Sequence, residues 1–218
     1  QMGVPSFKYF MSFKGDEGRY IGVTGSDDGL LYEFFEELGK HPQATTAIHT
    51  ENIEVVWRLR KRLQEAGADG LAAWDSSRPD FVEADDLHTA CYFARLTEAK
   101  IYLVHVSCKE AMDVARDQKK LYSGISVETC PHYLTHTRDT ELGVLGKVNP
   151  PLRSEKDVET VWEAVFDGTV DVIGSDHSSR RREKKSGNIW QAAAGFPGIA
   201  TLLPVLLSEG VNKRGLDI

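Results

Sequence analysis

The chain lacks the features that mark membrane proteins, disulfide-stabilised secreted proteins and nucleic-acid-binding proteins. No apolar run approaches the length of a membrane span and no signal peptide is recognisable, so we expect no membrane partner. The three cysteines are odd in number and lack metal-finger spacing, which predicts reduced thiols in a cytoplasmic protein. Basic residues number 26 against 33 acidic ones, and the net charge of −7 argues against a nucleic-acid partner.

Positive charge is concentrated in one run, RRREKK at residues 180–185. Glu183 interrupts this run, which follows an apolar segment ending near Asp176. We interpret the run as a solvated loop. The alternative is that it helps to hold an anionic substrate.

Strand-like and helix-like segments alternate along the chain. Apolar runs predict strands over residues 7–11, 44–49, 100–106, 125–129 and 170–173. Amphipathic segments predict helices over residues 30–38, 53–66, 82–96, 110–119, 154–166 and 199–207. The alternation predicts an α/β fold with a parallel sheet. The near-continuous apolar run at 100–106 is typical of a strand buried on both faces.

Four ionisable side chains stand at the ends of these strands. They are Lys8, His49, His105 and Asp176. Because a (β/α) barrel builds its active site at the carboxyl ends of its strands, we expect all four to converge. Histidines suit zinc as neutral ligands and carboxylates complete such sites, whereas a lysine must first lose its charge and gain a carboxylate. The pattern predicts a hydrolytic metal site in which Asp176 carries a proton to the leaving nitrogen.

The motifs around these residues resemble, in order, those of the cyclic amidohydrolases of the amidohydrolase superfamily, which include hydantoinases, dihydropyrimidinases, allantoinases and dihydroorotases. The matching segments are SFKYFM at 6–11, IHTEN at 48–52, VHVS at 104–107, ETCPHYL at 128–134 and VIGSDH at 172–177. The resemblance covers nearly the whole chain. It implies a (β/α)8 TIM barrel of the metal-dependent hydrolase type, of which only about strands 4–8 and their helices are expected here. Residues 1–218 would form one partial barrel domain, without the N-terminal strands and the small β-domain.

The same resemblance implies two zinc ions per complete site, bridged by a carboxylated Lys8. His49 and His105 would hold one ion, and Asp176 would contribute to the other as the proton shuttle. A metal-bridging hydroxide would then open the ring of a small cyclic amide, imide or ureide. Asn149 and the loop around Gly195 correspond to substrate-contact positions that act largely through backbone groups.

Two departures from the family pattern concern this site. Phe13 stands at a substrate-contact position where hydantoinases have a tyrosine, and it has no hydrogen-bond donor for a tetrahedral intermediate. The His-x-His pair of the family's first strand does not occur in the chain. A non-catalytic, dihydropyrimidinase-like scaffold protein is therefore an open alternative.

The substrate is also open, because the subfamily motifs conflict. The Lys8 segment is typical of hydantoinases, NPPLR at 149–153 of dihydroorotases, and SGNI at 186–189 with KRG at 213–215 of allantoinases. A dihydroorotase of pyrimidine synthesis is thus the alternative enzyme. Five strands of an eight-stranded barrel would also leave open edges and uncovered apolar faces. We therefore expect a piece of a longer protein that forms a homo-oligomer, holds at most one well-occupied metal and has little activity by itself.

The remaining histidines have simpler interpretations. His132 and His136 flank a predicted loop, and we expect neither to bind a metal. His177 follows Asp176 directly and should point away from it by strand alternation, which predicts a structural role. His49 or His105, taken alone, would more simply be a hydrogen-bonded core histidine, so the metal-site prediction depends on the whole ordered set of motifs.

Overall fold

The sheet contains five parallel strands in chain order. A computed structural model describes residues 3–20, 22 and 27–217. The strands are β1 (Ser6–Phe10), β2 (Thr45–His49), β3 (Ile101–Leu103), β4 (Ile125–Thr129) and β5 (Val172–Ile173). Each strand pairs in parallel with the next one along the chain. The predicted α/β class and parallel sheet are confirmed, although β3 and β5 are shorter than expected.

Helices connect these strands. They are α1 (Gly15–Tyr20), α2 (Asp28–Gly39), α3 (Ile53–Glu65), α4 (Gly70–Ser76), α5 (Asp80–Thr97), α6 (Lys109–Leu121), α7 (Glu155–Phe166) and α8 (Leu202–Val205), which continues as a π-helical segment, Leu206–Asn212. Short 3-10 turns span Pro131–Leu134, Gly143–Gly146 and Arg182–Lys184. Sequence periodicity did not predict α1 and α4, which are too short to show it. Helix α8 begins three residues later than expected, so that Pro204 lies in its first turn, where a missing N–H is tolerated.

Side-chain caps explain where several helices begin. Asp27 Oδ1 accepts a hydrogen bond of 2.9 Å from Leu30 N at the start of α2. Ser154 and Asp157 form a reciprocal capping box at the start of α7. These contacts satisfy backbone N–H groups that have no partner inside the helix.

The two faces of the sheet differ in chemistry, because side chains alternate along each strand. The outer face packs against the helices and supplies buried residues such as Ile48, Leu103 and Val127 to the main core. On the inner face, Tyr102 is half-buried and its hydroxyl donates a hydrogen bond of 2.7 Å to Glu128. The expectation that β3 is buried on both faces is therefore wrong, because Tyr102 is only half-buried. The inner face carries polar groups such as Lys8 and Glu128 beside the apolar Val172, which is 40% exposed.

A second, smaller core lies beneath the loops at the carboxyl ends of the strands. It contains Leu71, Trp74, Cys130, Tyr133, Val148, Leu152 and Ile189. Two of its aromatic residues also bind the backbone of the loop after the Gly143–Gly146 turn: Trp74 Nε1 donates to Val148 O at 2.9 Å, and the Tyr133 hydroxyl donates to Pro150 O at 2.7 Å. This loop carries Asn149, so the small core fixes one wall of the region above the sheet. None of the helices in the described ranges combines the length and apolarity needed to cross a bilayer.

Candidate active site

A cleft with a volume of about 310 Å³ opens at the carboxyl ends of the strands. Its walls include all seven residues that the sequence singles out, which are Lys8, Phe13, His49, His105, Asn149, Asp176 and Gly195. The cleft also contains Glu51, Arg78 and Ser178, which carried no predicted role, and Arg180, the first residue of the basic run for which an anionic substrate was the alternative interpretation. The parallel strands thus bring residues from distant parts of the chain to one end of the sheet, as a barrel-type active site requires.

His49 and His105 face each other in this cleft. His49 Nδ1 lies 3.0 Å from His105 Nε2, and both side chains are buried. The other nitrogen of His49, Nε2, lies 2.8 Å from a carboxylate oxygen of Glu51. Glu51 in turn accepts a hydrogen bond of 2.8 Å from Arg78, which is 4% exposed. Glu51 therefore fixes the orientation of the His49 ring and leaves Nδ1 directed at His105.

Burial sets the charge of this group of residues. It lowers the pKa of His49, and burial together with the neighbouring His49 lowers the pKa of His105 well below its usual value. Burial also opposes ionisation of Glu51, but the charge of Arg78 and the hydrogen bond from His49 outweigh it and lower the pKa of Glu51 to about 2. The cleft therefore holds two neutral imidazoles beside an ionised carboxylate. Neutral imidazole is the form that binds zinc.

Lys8 and Asp176 also line the cleft, and the charge of each acts on the pKa of the other. Lys8 lies within β1 opposite Ala47, with its side chain on the inner face of the sheet and Nζ 4.6 Å from the Phe10 ring centroid. Lys8 is open to the cleft, yet the protein atoms packed around its ammonium lower its pKa to about 8, against the opposing effect of Asp176. Burial raises the pKa of Asp176 to about 6, although Lys8 favours its ionised form.

Two of the four predicted residues have an unusual backbone conformation. His105 has φ of 46° and Asp176 has φ of 39°, both in the left-handed region that residues other than glycine rarely adopt. His105 lies two residues after the end of β3 and Asp176 three residues after the end of β5, and both side chains line the cleft. Such strain of about 1–3 kcal/mol per residue is typical of functional sites.

The donors present fit one divalent metal ion. A zinc ion bound at 2.0–2.1 Å from two nitrogens in a tetrahedron holds them ~3.4 Å apart, close to the 3.0 Å between His49 Nδ1 and His105 Nε2. His105 Nδ1 is buried and has no hydrogen-bond partner among the described residues. Over residues 3–20, 22 and 27–217, no cluster of three or more His, Cys, Asp or Glu side chains has metal-binding geometry. The described residues thus present two imidazole nitrogens to such an ion.

The predicted substrate-contact residues line the cleft beside these groups. Asn149 Oδ1 is buried and has no hydrogen-bond partner among the residues that the structure describes. Gly195 has φ of 140°, and a Cβ atom there would lie 2.4 Å from Ser178 O, so only glycine fits. The Phe13 ring stacks on Phe10 with centroids 4.1 Å apart and contributes only apolar surface.

Comparisons with known proteins agree with this geometry. An allantoinase from Salmonella gallinarum is 30% identical to the chain over 220 residues, covering 100% of this chain and 48% of that protein. The structure of a D-hydantoinase (dihydropyrimidinase) from Thermus sp. is 30% identical with a TM-score of 0.87, covering 99% of this chain and 47% of the other. The structure of an L-hydantoinase (dihydropyrimidinase) from Arthrobacter aurescens is 29% identical to the chain with a TM-score of 0.89. The match covers 97% of this chain and 47% of the other. No protein-family model matches the chain.

The chain is similar to allantoinases and hydantoinases over its whole length. The resemblance seen in its motifs is thereby confirmed, together with the barrel type of its fold. The chain spans about half the length of the curated relatives that it matches.

Glu51 and Arg78 are residues of this cleft that carried no prediction. Glu51 lies inside the motif IHTEN, two residues after His49, and its position on the same strand face was a signal that could have identified it. Arg78 lies 27 residues beyond Glu51, and no local pattern connects the two. Only the docking of the loop before α5 onto the end of β2 brings them into contact.

His132 and His177 are not among the residues that line the cleft. His132 is 1% exposed and packs between Tyr133 and Phe196, with ring centroids at 4.2 and 5.0 Å. His177 is exposed, and its Nδ1 accepts a hydrogen bond of 3.3 Å from Ile199 N.

The basic run at 180–185 is not a uniformly solvated loop. Lys185 is 8% exposed, and its ammonium donates to Leu145 O at 2.7 Å and to Lys147 O at 2.9 Å. Arg181, Arg182 and Lys184 are exposed, as expected. Lys185 therefore anchors the run to the opposite wall of the cleft, and Arg180 lines that cleft.

Proposed function

We propose that the chain carries the active site of a metal-dependent hydrolase that opens a C–N bond in the ring of a small cyclic amide, imide or ureide. The observation that carries this proposal is the meeting of His49 Nδ1 and His105 Nε2 at 3.0 Å in a cleft that also contains Lys8 and Asp176. The names of the similar proteins, allantoinase and hydantoinase, support the same reaction class.

Zinc is the proposed metal, with two ions per complete site. His49 Nδ1, His105 Nε2 and a carboxylated Lys8 would hold one ion, while Lys8 and Asp176 would contribute to the other. When bound, such ions supply a strong nucleophile at neutral pH and polarise the ring carbonyl. Carboxylation joins Lys8 Nζ to the carbon of carbon dioxide and releases one proton, which converts a cation into an anion among neutral imidazoles.

The chain's own residues would then orient the reaction and move its proton. Glu51 keeps Nε2 of His49 protonated, so that the Nδ1 lone pair stays available. Asp176 accepts the proton of the attacking water as the new C–O bond forms at the ring carbonyl. It passes this proton to the ring nitrogen as the C–N bond breaks. The products are a carboxylate and a free amine or ureide nitrogen on one open-chain molecule.

Substrate binding would involve the opposite wall of the cleft. Asn149 Oδ1 is available to accept a hydrogen bond from a ring N–H. Gly195 allows the backbone to approach the ring closely because it has no side chain. Phe13 would contact the apolar face of the ring.

A ring-opening assay tests the proposal. The protein as its gene encodes it is loaded with zinc and assayed with hydantoin, dihydrouracil, dihydroorotate and allantoin in parallel. We expect hydrolysis of at least one ring, which is lost in His105→Ala. Failure of the metal-loaded protein to open any of the four would contradict the proposal.

A non-catalytic scaffold is the second candidate, and Phe13 favours it because its ring stacks on Phe10 where the reaction would use a hydroxyl donor. Measurement of bound zinc separates the two. About two ions per chain supports the enzyme, and none supports the scaffold.

We further propose that residues 1–218 act as one barrel domain of a cytoplasmic homo-oligomer. The support is the exposed side of β1, where Val4 is 59% and Phe7 is 46% exposed. Light scattering on the purified protein tests this, and a monomer at micromolar concentration would contradict it.

A further inference from the structure

Arg180 lies at the rim of the cleft without an acidic partner. Its Nε donates a hydrogen bond of 3.0 Å to Ala194 O. Among the residues that the structure describes, no carboxylate oxygen lies within 4.0 Å of the nitrogens of Arg180. The edge of the guanidinium formed by its two terminal nitrogens is therefore free to bind a ligand.

Backbone contacts hold Arg180 in place. Ser178 N donates to Phe196 O at 2.9 Å, and His177 forms a parallel bridge with Phe196. Because Gly195 lacks a Cβ, the two segments approach closely enough for Arg180 to reach Ala194 O. The guanidinium is thus oriented before a ligand arrives, which reduces the entropy lost on binding.

The cleft contains one more cation than carboxylates when Lys8 is unmodified. The cations are Lys8, Arg78 and Arg180 and the carboxylates are Glu51 and Asp176, although the net charge of the chain is −7. Carboxylation of Lys8 would remove one of these cations and would still leave Arg180 without a carboxylate partner. Arg78 is 2.8 Å from Glu51, and the charge of Lys8 acts on Asp176. Arg180 is the cation left over, which favours an anionic ligand in the cleft.

Among the described residues, the neighbouring wall of the cleft presents no acidic side chain to Arg180. Lys185 is bonded there to two carbonyl oxygens, and burial and then the charge of Arg180 lower its pKa to about 8. This side of the cleft is therefore positively charged.

We propose that Arg180 determines specificity by binding a carboxylate carried by the substrate, so that the preferred substrate is a carboxylated five- or six-membered cyclic amide or ureide. This inference rests on the proposed function. A guanidinium binds the two oxygens of a carboxylate through two parallel hydrogen bonds. The free edge of Arg180 supplies one such pair, while Asn149 Oδ1 accepts a ring N–H from the other side.

A carboxylate fits this site better than a phosphate does. A phosphate site would recruit a second free cation, but Arg78 is held by Glu51 and Lys185 by two carbonyl oxygens. A cleft of about 310 Å³ is at the small end of ligand sites, with room for a single substituted ring.

Dihydroorotate and dihydrouracil form a matched pair of probes, because they share one ring and differ in a carboxylate. We expect the zinc-loaded protein to have the higher kcat/KM for dihydroorotate. In Arg180→Gln, the ratio of the two kcat/KM values should fall roughly 10- to 100-fold, mainly through KM for dihydroorotate. Arg180→Lys should retain part of the preference for dihydroorotate over dihydrouracil. The control is Arg182→Gln, which removes an exposed charge outside the cleft lining and should leave the ratio unchanged.

Binding measured by calorimetry separates the two hypotheses. If both rings are hydrolysed and Arg180→Gln leaves the ratio unchanged, the inference about Arg180 is wrong and the proposed function stands. If neither ring is hydrolysed, the proposed function fails for these rings. Tighter binding of dihydroorotate that is lost in Arg180→Gln, with an unchanged melting temperature, would still support the carboxylate site. Equal binding of the two probes by the unmodified protein would overturn it.

Discussion

Glu51 and Arg78 form a buried ion pair at 2.8 Å, with side-chain exposures of 1% and 4%. The same carboxylate oxygen of Glu51 lies 2.8 Å from His49 Nε2. The orientation of a proposed metal ligand therefore depends on an arginine from a different loop. Because both charges are buried, each one is needed to compensate the other.

Removing the charge of Glu51 should destabilise the protein and weaken metal binding. We expect Glu51→Gln to lower the free energy of unfolding by about 3–5 kcal/mol, because Arg78 is left buried and unpaired. Zinc affinity should fall roughly 10- to 100-fold, since His49 loses the carboxylate that orients it. Urea unfolding and zinc titration measure the two effects.

The control for this prediction is Glu54→Gln, which removes an exposed carboxylate from the same helix region and should change stability by less than about 0.5 kcal/mol. The double variant Glu51→Gln/Arg78→Met should be more stable than Glu51→Gln, because it removes the unpaired charge. A double variant that is less stable would show that the ion pair is not the source of the effect.

Lys8→Ala should abolish tight binding of zinc, because the pair of His49 and His105 then lacks its third ligand. Metal content measured by plasma mass spectrometry after dialysis checks this. Added acetate or propionate should restore part of the binding by supplying the missing carboxylate. The matched control is Lys61→Ala, at a lysine whose side chain is 77% exposed and outside the cleft. Equal metal content in both variants would exclude Lys8 as a ligand.

Arg153 should be among the residues most sensitive to substitution. It is 2% exposed and donates to Glu83 at 2.8 Å, to Asp75 at 3.0 Å and to Ser107 at 3.0 Å. We expect Arg153→Met to lower the free energy of unfolding by about 3–5 kcal/mol, because it leaves the buried Glu83 without its cation. Urea denaturation provides the measurement.

Arg116→Met is the comparison for Arg153, since Arg116 also bonds two carboxylates but in partly exposed pairs. Arg116→Met should lower the free energy of unfolding by about 1 kcal/mol or less. Similar losses for the two variants would mean that burial of the Arg153 network contributes little.

The stability of the protein should depend on pH through Asp86. Burial, and then the charge of Asp85, raise the pKa of Asp86 to about 7, above its ordinary value of 3.8. The folded state therefore binds a proton more tightly than the unfolded state between about pH 4 and pH 7. This contribution to stability is fully present below pH 4 and is lost as the pH rises through 7.

Asp86→Asn keeps the shape of the side chain and removes its charge. It should stabilise the protein by roughly 1–3 kcal/mol at pH 8 and by much less at pH 4, as measured by urea midpoints. The control is Asp117→Asn, at a residue whose side chain is 73% exposed. This variant should not change the difference between the stabilities measured at pH 8 and at pH 4. If Asp86→Asn changes the stability equally at both pH values, the raised pKa of Asp86 is not the source of the pH dependence.

Local sequence patterns were sufficient for the strands that carry the site. The residues of β2 alternate between the core and the cleft, so that Ile48 is buried under helices while His49 faces inward. The capping box at Ser154 was also readable, because it depends on residues only three positions apart. These features follow from the periods of the backbone, which any short segment expresses by itself.

Contacts between distant segments were not readable from the sequence. Glu51 and Arg78 are 27 residues apart, and Arg153 and Glu83 are 70 residues apart. Lys185 belongs to a charged run typical of a solvated loop, yet it is buried because carbonyl oxygens of another loop surround its ammonium. Such pairs depend on how the loops dock, and no local period encodes that.

The sequence by itself determined the strand–helix order and the parallel sheet, because side-chain periodicity is a local property. Through its resemblance to the cyclic amidohydrolases it also identified seven of the residues that line the cleft. Only the tertiary structure decided the His49 tautomer, the burial of Arg78 and Arg153, and the unpaired state of Arg180. Charge pairing in a folded protein depends on distances between groups that are remote in sequence, and those distances exist only after the loops have packed.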